Sequence, residues 1–135
     1  MIIVDTGPIV SALVSTDRFH HWAIEVMKGL RSPLLTCEAV LAETTYLVNK
    51  EGFDSTRVFT LLERRILQIG LRLDDEQSRV KALMQKYADQ PMDLADACLV
   101  RMAELYPASR VLTVDRRDFS VYRKHRNQEI PCIMP

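Results

Sequence analysis

Met1-Ile-Ile-Val-Asp5-Thr6-Gly7-Pro8 opens the chain, and its reading sets the fold. The apolar strand Met1–Val4 stops on an acid, and Thr6-Gly7-Pro8 turns the backbone away from it. The pattern recurs late in the sequence, where Val111-Leu-Thr-Val114 forms a second apolar strand, Asp115 closes it and Arg116-Arg117-Asp118-Phe119 follows. In a parallel sheet both strand ends reach one rim. Ligands of open parallel sheets bind in the crevice beyond the carboxyl ends of the strands, so two acids at two such ends point to a site.

Between these strands the apolar spacing switches repeatedly between strand and helix periods. Pro8 to Val14 reads as a short helix, with proline in the first turn where its missing N–H costs little. Asp17 starts the next, Arg18 to Leu30, with Phe19, Trp22, Ala23, Val26, Met27 and Leu30 recurring at three and four. Leu34–Thr36 is a short second strand and runs into a helix from Glu38 to Lys50, ended by Glu51-Gly52. Asp54 or Ser55 caps a further helix to Arg65, and Ile66 to Gly70 is the third strand. Asp74 to Ala88 is helical, Asp89-Gln90-Pro91 interrupts, and Met92 to Tyr106 is helical again on the face of Leu94, Ala95, Cys98, Leu99, Met102 and Leu105. A short helix after Asp115 and a strand from Ile130 to Ile133 complete the order. Strands alternating with helices predict a parallel sheet covered on both faces, an α/β fold.

The remaining bulk properties narrow the class. A length of 135 residues fits a single domain, 1–135. No apolar run approaches the ~20 residues that span a bilayer, and the early Asp5 does not suit a signal peptide, so the expectation is a cytoplasmic protein off the membrane. Cys37, Cys98 and Cys132 are odd in number and lack metal-finger spacing; they read as small core hydrophobes. The formal net charge is zero, which removes the global basic field of many nucleic-acid binders. Locally, Arg116, Arg117, Arg123, Lys124 and Arg126 stand against Asp118 alone, either to grip phosphates or as a solvated face.

Three further acids lie on helices. Glu43 sits mid-helix near the stripe of Val40, Leu47 and Val48, where a carboxylate needs a partner, a shifted pKa or an ion unless it simply reaches solvent. Asp93 and Asp96 share a face near a helix N-terminus. Capping accounts for Asp93 but poorly for Asp96, which lies one turn deeper between Ala95 and Ala97. Asp5 and Asp115, taken singly, also suit backbone turns. Taken together, Asp5, Glu43, Asp96 and Asp115 on one rim would repel, by about 4 kcal/mol for two charges ~4 Å apart at an effective dielectric near 20. Divalent cations are the natural compensation, and all-oxygen donors without His or Cys select magnesium or manganese.

At these positions the chain resembles the PIN-domain family, most closely the VapC-type toxin ribonucleases of toxin–antitoxin pairs. The likeness rests on Ile3-Val4-Asp5-Thr6-Gly7, Leu41-Ala42-Glu43, Asp93-Leu-Ala-Asp96-Ala97 and Leu112-Thr-Val-Asp115-Arg-Arg-Asp118-Phe119, in that order across nearly the whole chain. It implies a three-layer α/β/α sandwich with a parallel five-stranded sheet and a Mg2+- or Mn2+-dependent endoribonuclease. By position Asp5 and Asp96 would be the principal metal ligands, Glu43 and Asp115 would complete the site directly or through water, and Thr6 and Thr113 would support it. Asp93 and Asp118 are extra acids beside it, and Arg116 and Arg117 would hold RNA phosphates. The family also implies a homodimer and an antitoxin protein whose C-terminal segment enters the groove.

Other classes fit less well. Haloacid-dehalogenase-like phosphatases need a second acid at the position of Gly7, and receiver domains place their acids at other strand ends. GxGxxG and GxxxxGK[ST] are absent. A PIN-like domain that binds RNA or protein without turnover remains the non-enzymatic alternative.

Overall fold

The computed structural model of the chain describes all residues, 1–135. Five strands, β1 (Ile2–Val4), β2 (Leu34–Thr36), β3 (Leu67–Ile69), β4 (Arg110–Leu112) and a last strand Cys132–Ile133, form one sheet in which every pairing is parallel. Counting the small hairpin β5 (Arg123–Lys124) and β6 (Gln128–Glu129), the last strand is β7, and the sheet order is β3-β2-β1-β4-β7. Side chains of a strand alternate between its two faces, yet Ile2, Ile3 and Val4 are all buried, as are Leu34, Leu35 and Thr36. Both faces of the sheet are therefore covered, giving the expected three-layer α/β/α arrangement.

The covering helices are α1 (Thr6–Leu13), α2 (His20–Gly29), α3 (Glu38–Lys50), α4 (Arg57–Glu63), α5 (Leu73–Lys86), α6 (Leu94–Leu105) and the short α7 (Arg116–Val121). Helix α6 is largely buried, with Ala95, Ala97, Cys98, Leu99, Val100, Met102 and Ala103 all inside, and it packs on α5, α3, β1 and β4. Its small residues let it lie close to the central strands. Chain direction matters more for the site. From β1 the chain moves one way to β2 and β3, then crosses back to the other side of β1 for β4, so β1 and β4 form the switch point of the sheet. That is where open α/β sheets leave a crevice.

Several boundaries differ from the sequence reading, each for a local reason. Helix α1 starts at Thr6 instead of Pro8 because the Asp5 carboxylate takes the Thr6 N–H at 2.7 Å and caps the helix there. Helix α2 starts at His20, so Arg18 and Phe19 belong to a turn instead of the helix. Strand β4 ends at Leu112, three residues before Asp115, although the Thr113 N–H still reaches the Ile133 carbonyl at 3.1 Å. Strand β7 is only Cys132–Ile133, because Pro131 lacks a donor for the ladder. The β5–β6 hairpin was not expected at all: its turn puts His125 and Arg126 at positive φ, 47° and 80°, without the Asn-Gly or Asp-Gly signature that marks such turns.

Candidate active site

The parallel register sets Val4 beside Leu112, so the chain leaves β1 and β4 at one level, and the Asp5 N–H bonds the Leu112 carbonyl at 3.0 Å. Beyond these ends lies a cavity of about 490 Å³. Asp5, Glu43, Asp96 and Asp115 all line it, together with Asp93, Asp118, Thr6 and Gly7. Four elements deliver the six acids: Asp5 by the β1–α1 junction, Glu43 by α3, Asp93 and Asp96 by the start of α6, Asp115 and Asp118 by the start of α7.

Asp5 is the innermost, 8% exposed. One oxygen accepts the Thr6 N–H, and the other accepts the Thr113 hydroxyl at 2.7 Å. Thr113 is itself buried and takes the Asp115 N–H at 3.0 Å, so one hydroxyl ties β4, α7 and Asp5 into a relay. Burial pushes the Asp5 carboxyl up to about 6; the Thr113 and Thr6 bonds pull it down, and the charges of Glu43 and Asp115 push it up. The Thr6 hydroxyl is buried on the cavity wall and has no partner in the protein.

Asp96 is half-buried, and its pKa rises to about 7, first through burial and then through the charges of Asp93 and Asp5. A buried tyrosine at the end of α7 partly relieves this, since the Tyr122 hydroxyl donates to Asp96 Oδ2 at 3.1 Å. Capping explains more of Asp96 than its position suggests. Asp93 caps α6 by accepting the Asp96 N–H at 2.8 Å, and Asp96 Oδ2 reaches back to the Asp93 N–H at 3.4 Å, a reciprocal capping box. Its other oxygen takes no hydrogen bond from the protein. Asp115 does the same for α7, its Oδ1 accepting the Asp118 N–H at 2.9 Å while Oδ2 stays free. Burial, then the neighbouring Asp115, raises the Asp118 carboxyl. Glu43 is half-buried beside the apolar face Val40, Thr44 and Val48, and it accepts no hydrogen bond.

The donors facing the cavity are thus hard oxygens, several without protein partners. No three of the acids stand close enough to hold one ion jointly. That spacing suits a small hard cation bound through one or two carboxylates and several waters. Arg116 and Arg117 are exposed on the first turn of α7 and lie off the cavity wall, the Arg116 guanidinium bonding the Pro135 carbonyl. The sequence reading passed over Asp17, Arg18 and Phe19, which do line the cavity. Their signal was faint: Asp17 read as a helix start and Phe19 as part of an apolar stripe.

Comparison with known proteins follows the same geometry. The family model described as PIN domain matches residues 2–124. Ribonuclease VapC26 of Mycobacterium tuberculosis is 28% identical over 124 residues, covering 90% of this chain and 92% of the relative. Among solved structures, Mycobacterium tuberculosis VapC20, described as a sarcin-ricin-loop-cleaving toxin, superimposes with a TM-score of 0.77 at 17% identity, over 89% of this chain and 93% of its own. A toxin–antitoxin complex from Klebsiella pneumoniae gives 0.65 at 21% identity, over 90% and 92%. At those identities the two structures speak for the fold.

Proposed function

We propose, from the premise that this chain belongs to the PIN-domain family, that it is a divalent-metal-dependent endoribonuclease acting as the toxin of a toxin–antitoxin pair. The observation that carries the reading is the convergence of Asp5, Glu43, Asp96 and Asp115 on one cavity at the β1/β4 switch point, with Asp5 and Asp96 raised to about 6 and about 7. Carboxyls held that far above their ordinary range beside further acids match a site built for a cation. Asp5 and Asp96 would hold Mg2+ or Mn2+, with the unpartnered Thr6 hydroxyl free to bond a water of its shell. When bound there, the ion would supply positive charge to the phosphate under attack and would acidify a water. Thr113 keeps the Asp5 carboxylate fixed, and Tyr122 fixes that of Asp96. Glu43 and Asp115, with oxygens uncommitted to the protein, orient the attacking water and take its proton; Asp93 and Asp118 hold the helix turns that present them. The single domain, a homodimer, a cytoplasmic setting and an antitoxin protein whose segment occupies the groove belong to the same proposal. No helix is long and apolar enough to cross a membrane.

The test is cleavage of a panel of structured and single-stranded RNAs with magnesium, manganese or EDTA. The unaltered chain should cut only with a divalent ion, and Asp5→Asn and Asp96→Asn should each lose at least about a hundredfold while remaining folded. Full activity in both variants, or undiminished cutting in EDTA, removes the metal-site assignment. A catalytically silent RNA- or protein-binding module predicts no cleavage of any RNA by the unaltered chain.

A further inference from the structure

One edge of the cavity differs in charge from the rest. Seven of its lining residues are carboxylates, and one, Arg18, is a cation. An exposed arginine beside so many acids ordinarily closes on one of them. Arg18 enters none of the chain's salt bridges and none of its hydrogen bonds; its guanidinium carbon lies 4.4 Å from the centroid of the Phe19 ring instead. Phe19 is braced edge-on by Trp22, with centroids 6.3 Å apart. Stacking a guanidinium on an aromatic face fixes its plane while leaving its N–H donors outward and unspent.

The turn that carries this pair is fastened from behind. Asp17 Oδ2 accepts the buried Ser11 hydroxyl at 2.7 Å and the Phe19 N–H at 2.9 Å. His20 Nδ1 lies 2.8 Å from the Ser11 carbonyl, so that nitrogen carries the proton and donates. Asp17, although on the cavity wall, therefore has one oxygen committed to shaping the turn. These bonds set the backbone of the turn from which Arg18 and Phe19 project.

The geometry points to Arg18 as the residue that grips a phosphate of the RNA strand at the mouth of the cavity, with Phe19 as its platform and the Ser11–Asp17 bond as its positioning support. A forked cation with free donors, at the edge of an acidic floor, takes an anion that can bridge the two, and a phosphodiester backbone has that chemistry. This rests on the ribonuclease reading above. It also sets Arg18 apart from Arg116, which lies off the cavity wall and gives a donor to the Pro135 carbonyl.

Binding of a fluorescently labelled single-stranded RNA of mixed sequence, followed by anisotropy across a salt series with magnesium and in an Asp96→Asn background that prevents turnover, tests the assignment. Arg18→Ala should weaken binding roughly tenfold and reduce the salt slope by about 0.7, one phosphate contact. Arg18→Lys should keep the slope and lose part of the affinity, because the ammonium lacks the fork. Phe19→Leu should fall between them, and with Asp96 intact Arg18→Ala should raise KM more than it lowers kcat. A merely structural arginine would instead move the melting temperature and leave the salt slope alone. Unchanged affinity and slope for Arg18→Ala, in a chain whose unaltered form cleaves RNA, overturns this inference alone. If the unaltered chain neither cleaves nor binds RNA, the ribonuclease reading fails and this one goes with it.

Discussion

Asp5→Asn in the metal-free chain measures what ionising the buried Asp5 carboxyl costs the fold. Burial moves the Asp5 carboxyl from an ordinary 3.8 to about 6, a shift of about two units, which at 1.36 kcal/mol each is about 3 kcal/mol. The sign follows from proton binding. Between those two values the native state holds a proton that the unfolded chain has released, so stability falls as pH rises through about 6. Asp96 adds a loss of the same sign as pH rises through about 7, reduced by its partial exposure. Asparagine resembles the neutral carboxyl and cannot ionise. It also keeps one acceptor oxygen where aspartate has two, so one of the bonds from the Thr6 N–H and the Thr113 hydroxyl becomes neutral and the other donor faces an NH2 group, at a cost of roughly 1–2 kcal/mol. Near pH 8 with EDTA, urea unfolding should show the variant more stable by about 1–2 kcal/mol; near pH 4.5 it should be level or slightly less stable. Glu104, pulled down to about 2, titrates below this range and is common to both proteins. A difference independent of pH, or a variant less stable near pH 8, would refute the reasoning.

Three further changes probe the supports. Tyr122→Phe removes the one side-chain hydroxyl that lowers the Asp96 pKa, so in the metal-free chain NMR titration should show the Asp96 carboxyl moving upward from about 7 while the fold is kept; an unchanged titration would show that the bond has no effect on the site. Gly7→Ala places a Cβ 2.4 Å from Val114 Cγ2, next to Asp115. It should cost about 1–3 kcal/mol in urea unfolding and lower kcat more than stability alone accounts for, because the α1 and α7 junctions are pushed apart. Glu104→Gln breaks a buried carboxylate that accepts from Arg79 twice, from Arg101 and from the His125 N–H. Calorimetry should show roughly 2 kcal/mol lost, since Arg79 keeps its charge without its partner while Arg101 retains Glu76.

The strands and long helices were legible because their apolar periods are strong: β1, β2 and helices α3 and α6 fall within a residue or two of where the spacing puts them. So were the four acids, although no spacing along the chain says that they meet; that came from the parallel sheet and the family likeness. The misses share a cause. Asp17, Arg18 and Phe19 sit in a turn whose conformation depends on Ser11 six residues back, and a period-based reading extends the helix through them. The β5–β6 hairpin depends on Glu104, far earlier in the chain, bonding the His125 N–H at 2.7 Å. Contacts of that kind leave no local pattern.

The capping and ligand readings of these acids exclude each other only if a carboxylate is counted as one group. It has two oxygens. Asp96 and Asp115 each commit one to a backbone or side-chain donor and leave the other toward the cavity, and Asp5 commits both while keeping lone pairs spare. Three helices, α1, α6 and α7, therefore start at the same cavity with their N-termini capped by the acids of the site. The partial positive charge at each helix start offsets some of the mutual repulsion, by about 0.3–1 kcal/mol per favourable placement. The caps hold the carboxylates in place, while the charges of Glu43 and Asp115 still push the Asp5 carboxyl up, behind the larger effect of burial. The residual charge is what a divalent ion, and behind it a phosphate steadied by Arg18, would relieve.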